Sequence, residues 1–163
     1  CKIESGLTYF KKNDVIVAKI TPCFENGKGA YLDKMQTEYG FGSTEFHVLR
    51  AKKEILPEYL YFITKSPIFL DLGTKSMTGT AGQQRVTNEF ISGFLFPLPP
   101  ISEQIQILRR LDVLIHKNKS NELNLVNEIS LLKEMKIKLI SDIVTGKIDV
   151  REKQIANINI KNN

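Results

Sequence analysis

The amino-acid sequence predicts an α+β chain: a mixed α/β head, a small twisted sheet with short helices, followed by a long coiled-coil-like helical region. Three observations carry that reading. Before Pro97 the apolar residues fall into short runs separated by Gly, Pro, Asn and Asp, the punctuation of short strands and short helices. From Ile101 onward they recur at helical spacing, through Ile105, Leu108, Leu111 and Leu114/Ile115, and again through Leu125, Ile129, Leu132, Met135, Leu139 and Ile143. Between the two regions stands Pro97-Leu98-Pro99-Pro100, which cannot be helix interior because proline lacks an N–H and extends the residue before it.

Bulk properties set limits. The chain has 163 residues, enough for one domain plus an appendage. Apolar residues make up 42 % and charged residues 25 %, ordinary for a globular protein. No apolar run approaches the roughly 18 residues that span a bilayer, and no signal peptide opens the chain, so a cytoplasmic protein is expected. Cys1 and Cys23 are too few for a disulfide scaffold or a Cys-only metal site, and Cys23 reads as a small, partly buried residue. His47 and His116 stand alone and read as structural rather than as ligands. The net charge of +5 divides into +2 over residues 1–100 and +3 over residues 101–163. That excess permits nucleic-acid binding without naming it, because a phosphate-tracking surface needs clustering.

In chain order, Leu7–Phe10 is strand-like and Lys11–Asp14 a polar turn. Val15–Ile20 reads as a buried strand ended by Thr21-Pro22. Asn26-Gly27 suits a tight hairpin, with Ala30–Leu32 returning as a strand. Lys19, Thr21, Asn26 and Lys28 lie on or beside this hairpin; Lys and Gly-rich backbone can hold phosphates, and Asn and Thr can read base edges. A solvated hairpin tip is the competing reading. Gly40 and Gly42 precede a strand, Glu45–Ala51, and not a helix, so they are no dinucleotide loop; a close backbone approach or a bulge fits better.

Pro57–Lys65 fits a short helix with Pro in its first turn, and Ser66-Pro67 reads as the cap and first residue of a second helix stopping near Gly73. Tyr59, Leu60, Phe62, Ile63, Phe69 and Leu70 are the expected core. Residues 75–86 form a loop of Gly and short polar residues, without the Gly-Lys-Ser/Thr of a Walker A loop. Its Lys75, Thr78, Thr80, Gln83, Gln84 and Arg85 can contact DNA, Arg pairing with guanine and Gln with adenine; Arg85 could equally pin the loop to a carboxylate. Phe94–Phe96 reads as a returning strand. Ser102 is placed to cap the following helix, with Glu103 and Gln104 in its first turn. Residues 117–121 dilute the apolar face before it resumes, and Gly146 is a good end. From Ser120 to Thr145 the helix would run roughly 39 Å at about 1.5 Å per residue. A small head cannot cover so long a stripe, so another helix should lie along it. The organisation expected is a head over 1–97, a helical region over 98–147 and a polar, Asn-rich tail over 148–163.

Several blocks carry a family resemblance. Pro97-Leu-Pro-Pro-Ile-Ser-Glu-Gln-Ile-Gln-Ile-Leu108, with the helix ending Leu139-Ile-Ser-Asp-Ile-Val-Thr-Gly-Lys-Ile-Asp149, resembles the conserved helical region of type I restriction-modification specificity subunits. Asp14-Val-Ile-Val-Ala-Lys-Ile-Thr-Pro-Cys-Phe-Glu-Asn-Gly-Lys28, Ser43–Arg50 and Gly79–Val86 are similar to signatures of their target recognition domains. The resemblance implies a head that docks on one half of a bipartite double-stranded DNA target, with an N-terminal portion that lies outside this chain. It implies a helix that packs antiparallel against an equivalent helix, from a second recognition half or a second copy, through Leu125, Ile129, Leu132, Met135, Leu139 and Ile143. Modification subunits would methylate adenine with S-adenosylmethionine, and a motor-nuclease restriction subunit could join. The chain itself is expected to carry no cofactor, no metal and no catalytic residue: it has no Asn/Asp-Pro-Pro-aromatic loop and no nuclease-like carboxylate cluster. The reading from another class is a helical dimerisation or scaffold protein whose head binds protein rather than DNA.

Overall fold

The structure is a computed structural model that describes residues 6–80 and 82–150; Cys1 and residues 151–163 of the expected tail lie outside the described residues. Among the described residues five short strands come first: β1 (Thr8–Lys11), β2 (Val15–Ala18), β3 (Gly29–Tyr31), β4 (Tyr39–Gly42) and β5 (Phe46–Leu49). Helices α1 (Pro57–Thr64), α2 (Pro67–Lys75), α3 (Asn88–Gly93) and α4 (Ile101–Val144) follow. An α+β fold with small antiparallel sheets, short helices and a long final helix is therefore what the chain forms. It divides into two compact units, the first ending at Leu111 and the second beginning at Asp112.

In the first unit β2 is the centre of a three-stranded antiparallel sheet in the order β3-β2-β5, and β1 pairs with β4 in a separate ribbon. Val15 and Val17 of β2 are buried with Phe24, Phe69 and Val86, and Leu49, Leu60, Phe90 and Phe94 pack around them. β-branched residues suit a strand covered on both faces. Asp14, at the entry to β2, is buried and gathers three donors: Lys11 N–H at 2.7 Å, Arg50 Nε at 2.8 Å and Arg50 Nη2 at 2.7 Å. Burial alone would raise its pKa, but the bonds from Arg50 and the Lys11 amide outweigh that and hold the carboxyl below its ordinary 3.8. The pair joins the start of β2 to the end of β5, and the bond from Lys11 N–H ties in the end of β1.

The helix starts follow local chemistry. α1 and α2 both open on proline, and Ser66 accepts a hydrogen bond from Phe69 N–H at 3.3 Å, the cap read from Ser66-Pro67. α2 does not stop at Gly73 but continues to Lys75. Gly73 instead serves packing: a Cβ there would lie 2.3 Å from Phe24 Cζ and 2.9 Å from Phe90 Cε1. Of the six expected core residues, Tyr59 and Phe69 are buried and Leu60, Phe62, Ile63 and Leu70 are half-buried.

Three local readings are corrected. Residues 39–42, read as a glycine-rich approach, form β4, whose Gly40 and Gly42 lie under the Phe10 ring; the close approach is real, the bulge is not. Helix α3 was not foreseen, although Thr87 caps it by accepting from Phe90 N–H at 3.2 Å. Phe94–Phe96 is no strand. It alternates as a strand would, with Leu95 exposed between two half-buried rings, but nothing pairs with it, and Phe94 packs edge-on against Phe69 at 5.0 Å.

α4 begins at Ile101, so Ser102 lies inside its first turn and not before it. Gln104 replaces the expected cap. Its fully buried side chain accepts from Leu56 N–H at 2.8 Å and donates to Glu54 O at 2.9 Å and Pro99 O at 2.8 Å, while the Pro100 carbonyl accepts from Glu103 and Gln104 N–H. Residues 117–121 do not interrupt the helix, which runs unbroken for 44 residues. It ends as read from Gly146, which has φ +75° and donates its N–H to Ile143 O. In the second unit Leu125, Ile129, Leu132, Met135 and Leu139 are each more than half exposed, and Ile143 is half-buried.

Replacing Gln104 by Leu preserves bulk but strips partners from Leu56 N–H, Glu54 O and Pro99 O. The expected loss is about 1–3 kcal/mol of stability, seen as a lower melting temperature, whereas the exposed neighbour Glu103→Leu should change it little. Equal melting curves for both variants would remove Gln104 from this role.

Candidate nucleic-acid interface

The two segments singled out for DNA contact, residues 19–28 and 75–86, are fastened together by backbone hydrogen bonds. The β2–β5 ladder continues one step past its ends, with Lys19 N–H donating to Glu45 O at 2.9 Å. Beyond that point the second segment takes over as partner: Val86 N–H donates to Lys19 O at 2.9 Å and Thr21 N–H to Gln84 O at 3.0 Å. A further pair closes the 78–85 loop on itself, Arg85 N–H to Thr78 O at 2.8 Å and Thr78 N–H to Arg85 O at 3.0 Å. The result is a short ladder across Glu45, Lys19–Thr21, Gln84–Val86 and Thr78.

His47 bonds to this ladder and Lys65 to the turn that leads into β3, and neither was singled out in the sequence as a site residue. His47 is buried, with Nε2 3.1 Å from Val86 O; a neutral ring protonated on Nε2 donates there. Burial holds its pKa below the ordinary value, opposed by the bond to Val86 O, and nearby Lys19 also disfavours the charged ring. The structural reading of His47 stands. Lys65, on the residue after α1, donates to the carbonyls of Gly27 and Gly29 and lies 4.9 Å from the Tyr61 ring centroid. Burial lowers its pKa.

The 19–28 segment is not a two-residue hairpin. It winds through successive turns across a cis Thr21–Pro22 peptide, with Phe24 N–H bonded to Ile20 O, Asn26 N–H to Pro22 O and Lys28 N–H to Cys23 O. Phe24 is anchored in the core, which leaves no room for a tight turn. Gly27 adopts φ +62°, the left-handed conformation that turns the chain back toward β3.

The side chains divide by environment. Asn26, Lys28, Thr78, Thr80 and Gln83 are exposed, and Gln84 is half-buried. Thr21 departs from the expectation of a base-edge reader, because its Oγ1 is buried and has no hydrogen-bond partner. Lys19 Nζ donates to Thr44 O at 3.0 Å. Lys75 is the last residue of α2 rather than part of the loop, and pairs with Asp71 at 2.6 Å. Arg85 forms a two-pronged pair with Glu45: Nε to Oε2 at 3.1 Å and Nη2 to Oε1 at 2.9 Å. The Arg85 hydrogen bonds hold the Glu45 carboxyl below its usual pKa, and Arg85 is raised in return. The carboxylate pin weighed for Arg85 in the sequence is therefore present. Lys19, His47, Thr78, Arg85 and Asn88 line one shallow depression. Among the described residues no cluster of three or more His, Cys, Asp or Glu side chains is placed to hold a metal ion.

Comparison with known proteins gives this arrangement its context. The family model for the type I restriction modification DNA specificity domain matches residues 3–131. The chain belongs to that family. It is 42 % identical over 114 residues to the type I restriction enzyme EcoAI specificity subunit of Escherichia coli, covering 69 % of this chain and 19 % of the relative. The EcoEI specificity subunit of Escherichia coli is 40 % identical over 108 residues, covering 66 % of this chain and 18 % of that protein. The EcoKI specificity subunit of Escherichia coli strain K12 is 31 % identical over 87 residues, covering 50 % and 19 %. The chain thus spans about a fifth of the length of these relatives. The ladder between residues 19–21 and 84–86 lies within the part of this specificity domain that the family model covers.

His47 makes the ladder acid-sensitive. The folded ring binds its proton less tightly than the unfolded ring, so its contribution is full above the ordinary pKa of 6.5 and declines as pH falls below it. Melting curves from about pH 8 to about pH 5 should show stability dropping on the acid side. In His47→Gln, whose amide can still donate to Val86 O, the drop between about pH 6.5 and about pH 5 should be shallower. An unchanged slope would assign the acid sensitivity to other groups.

Proposed function

We propose that this specificity domain binds double-stranded DNA through its 19–28 and 75–86 segments and reads one half of a bipartite target. The observation that carries the reading is the backbone ladder joining those segments. It holds a turn bearing exposed Asn26 and Lys28 and a loop bearing Thr78, Thr80, Gln83 and Arg85 on one support. Short polar side chains and Lys can grip phosphates, while Arg, Gln and Asn can pair with base edges. The chain contributes recognition and no chemistry. In this reading separate modification subunits methylate adenine with S-adenosylmethionine in the cytoplasm, and a restriction subunit cleaves.

The helix of the second unit supplies the spacing. Residues 112–144 form a helical stretch of about 50 Å at about 1.5 Å per residue, comparable to roughly 15 base pairs at 3.4 Å. Its exposed Leu125, Ile129, Leu132, Met135 and Leu139 favour an antiparallel helix partner over solvent. This helix sets the distance to the other half of the target and offers modification subunits a frame. In the scaffold-only alternative the helix does the same work while the head binds protein.

Binding to target and random duplexes at several salt concentrations separates these readings. Lys28→Ala should weaken both and reduce the salt slope by about one charge, as a phosphate contact does. Arg85→Ala should cost about 1–3 kcal/mol on the preferred target and much less on random DNA. Loss of thermal stability with no loss of discrimination would make Arg85 a brace only, and absence of DNA binding would leave the scaffold reading. The target itself follows from mapping methylated adenines after co-expression with a modification subunit; methylation by the purified chain alone would overturn the non-catalytic assignment.

The helix is tested separately. Leu132→Asp with Leu139→Asp should abolish self-association and modification-subunit capture, as read by light scattering and co-purification, while the first unit keeps its melting transition. Unchanged mass and unchanged capture would sink the pairing.

A further inference from the structure

The Arg85–Glu45 pair has a geometry that goes further than bracing a loop. An arginine carries five N–H donors: one on Nε and two on each terminal nitrogen. Here Nε and one hydrogen of Nη2 are taken by the two Glu45 oxygens, at 3.1 and 2.9 Å. Nη1 donates one hydrogen to Gln83 O at 3.4 Å. By count one N–H remains on each of Nη1 and Nη2, the two nitrogens whose outer hydrogens form a parallel pair at the far end of the guanidinium. That is the fork which matches O6 and N7 of guanine. Nearly half of the Arg85 side chain is exposed.

Glu45 is itself held. Its carbonyl accepts from Lys19 N–H in the ladder, and its N–H donates to Ser43 Oγ at 3.1 Å. Arg85 is fixed at its backbone by the paired bonds to Thr78. Both ends of the ion pair therefore rise from pinned backbone, although the two residues lie 40 positions apart in sequence. A long arginine side chain loses rotamer freedom when it docks, and one already held by a carboxylate loses less. The carboxylate also sets a penalty. Beside a DNA backbone it repels phosphate, so it weakens any binding mode in which Arg85 serves merely as a positive charge.

We infer that Glu45 is a specificity-determining positioning residue, which aims the end fork of Arg85 at a guanine and disfavours non-specific phosphate contact. This rests on the DNA-reading function proposed for the 78–85 loop. It assigns Glu45 no base contact of its own, although a carboxylate could accept from a cytosine amino group; the test must separate the two.

The full chain is incubated with a pool of duplexes of randomised sequence, and the bound fraction is sequenced beside a measurement of total binding to the unselected pool. The wild type should enrich guanine at one position, and Arg85→Ala should lose that preference by about 5- to 150-fold. Glu45→Gln, which keeps the shape but loses the charge and one acceptor, should reduce the same preference by about 3- to 10-fold and raise binding to the unselected pool. Glu45→Asp should restore the low binding to the unselected pool while recovering only part of the preference, since its shorter arm does not reach both nitrogens. In the Arg85→Ala background, Glu45→Gln should change the guanine preference no further, because a positioning residue acts through the residue it positions. Full preference in Glu45→Gln, or a loss that adds to that of Arg85→Ala, would overturn the positioning role while leaving Arg85 as the reader. Enrichment of no sequence by the wild type, or full preference in Arg85→Ala, would overturn the DNA-reading proposal and this inference with it. Melting curves accompany each variant; a Glu45→Gln protein that melts early yet keeps its guanine preference counts against the inference.

Discussion

The amide of Gln104 is the interaction on which the first unit's C-terminal half depends. From the first turn of α4 it ties together two stretches of backbone, the turn before α1 and the proline-rich segment. An extended segment containing three prolines within four residues has few N–H groups to offer and several carbonyls to satisfy. The amide nitrogen of Gln104 supplies a donor to Pro99 O, and its oxygen accepts from Leu56 N–H at the same buried point. Because Gln104 lies on α4 itself, the bonds that satisfy the loop also fix where the helix starts. Ser102 is thereby relieved of the capping role its position invites.

Much of the fold was legible because its signals are local. Val15–Ala18 announces a buried strand, Ser66-Pro67 a helix start, and Gly146 a helix end, each within a few residues. The misreadings share a different cause. Helix α3 has six residues, fewer than two turns, too short for any 3.6-residue period to emerge. Phe94–Phe96 does alternate, but a strand also requires a partner, and that is decided elsewhere in the chain. β4 was hidden by its glycines, which are poor strand formers unless a ring such as Phe10 needs the space above them.

The candidate interface was legible in its parts but not in its assembly. The polar residues of the 19–28 and 75–86 segments could be picked out from residue type and glycine content. Their union could not, because the ladder pairs residues some 60 positions apart through backbone atoms that carry no sequence signature. Lys65 and Glu45 were missed for the same reason. Lys65 reaches carbonyls 36 and 38 residues away, and Glu45 meets an arginine 40 away. Lysine and glutamate are ordinary surface residues in a sequence, and nothing nearby marks these two. The one advance hint was the possibility that Arg85 pins its loop to a carboxylate.

The ladder between Lys19–Thr21 and Gln84–Val86 is built from main-chain N–H and C=O groups. Any residue other than proline supplies those groups, so the support is indifferent to what projects from it. The side chains of Phe24, His47 and Val86 are buried, while those of Thr80, Gln83 and Arg85 are exposed. Substitutions at the exposed positions therefore escape the packing constraints that hold Gly73 against Phe24. Such a separation makes the surface evolvable: new preferences can be sampled one side chain at a time without first purchasing a new core.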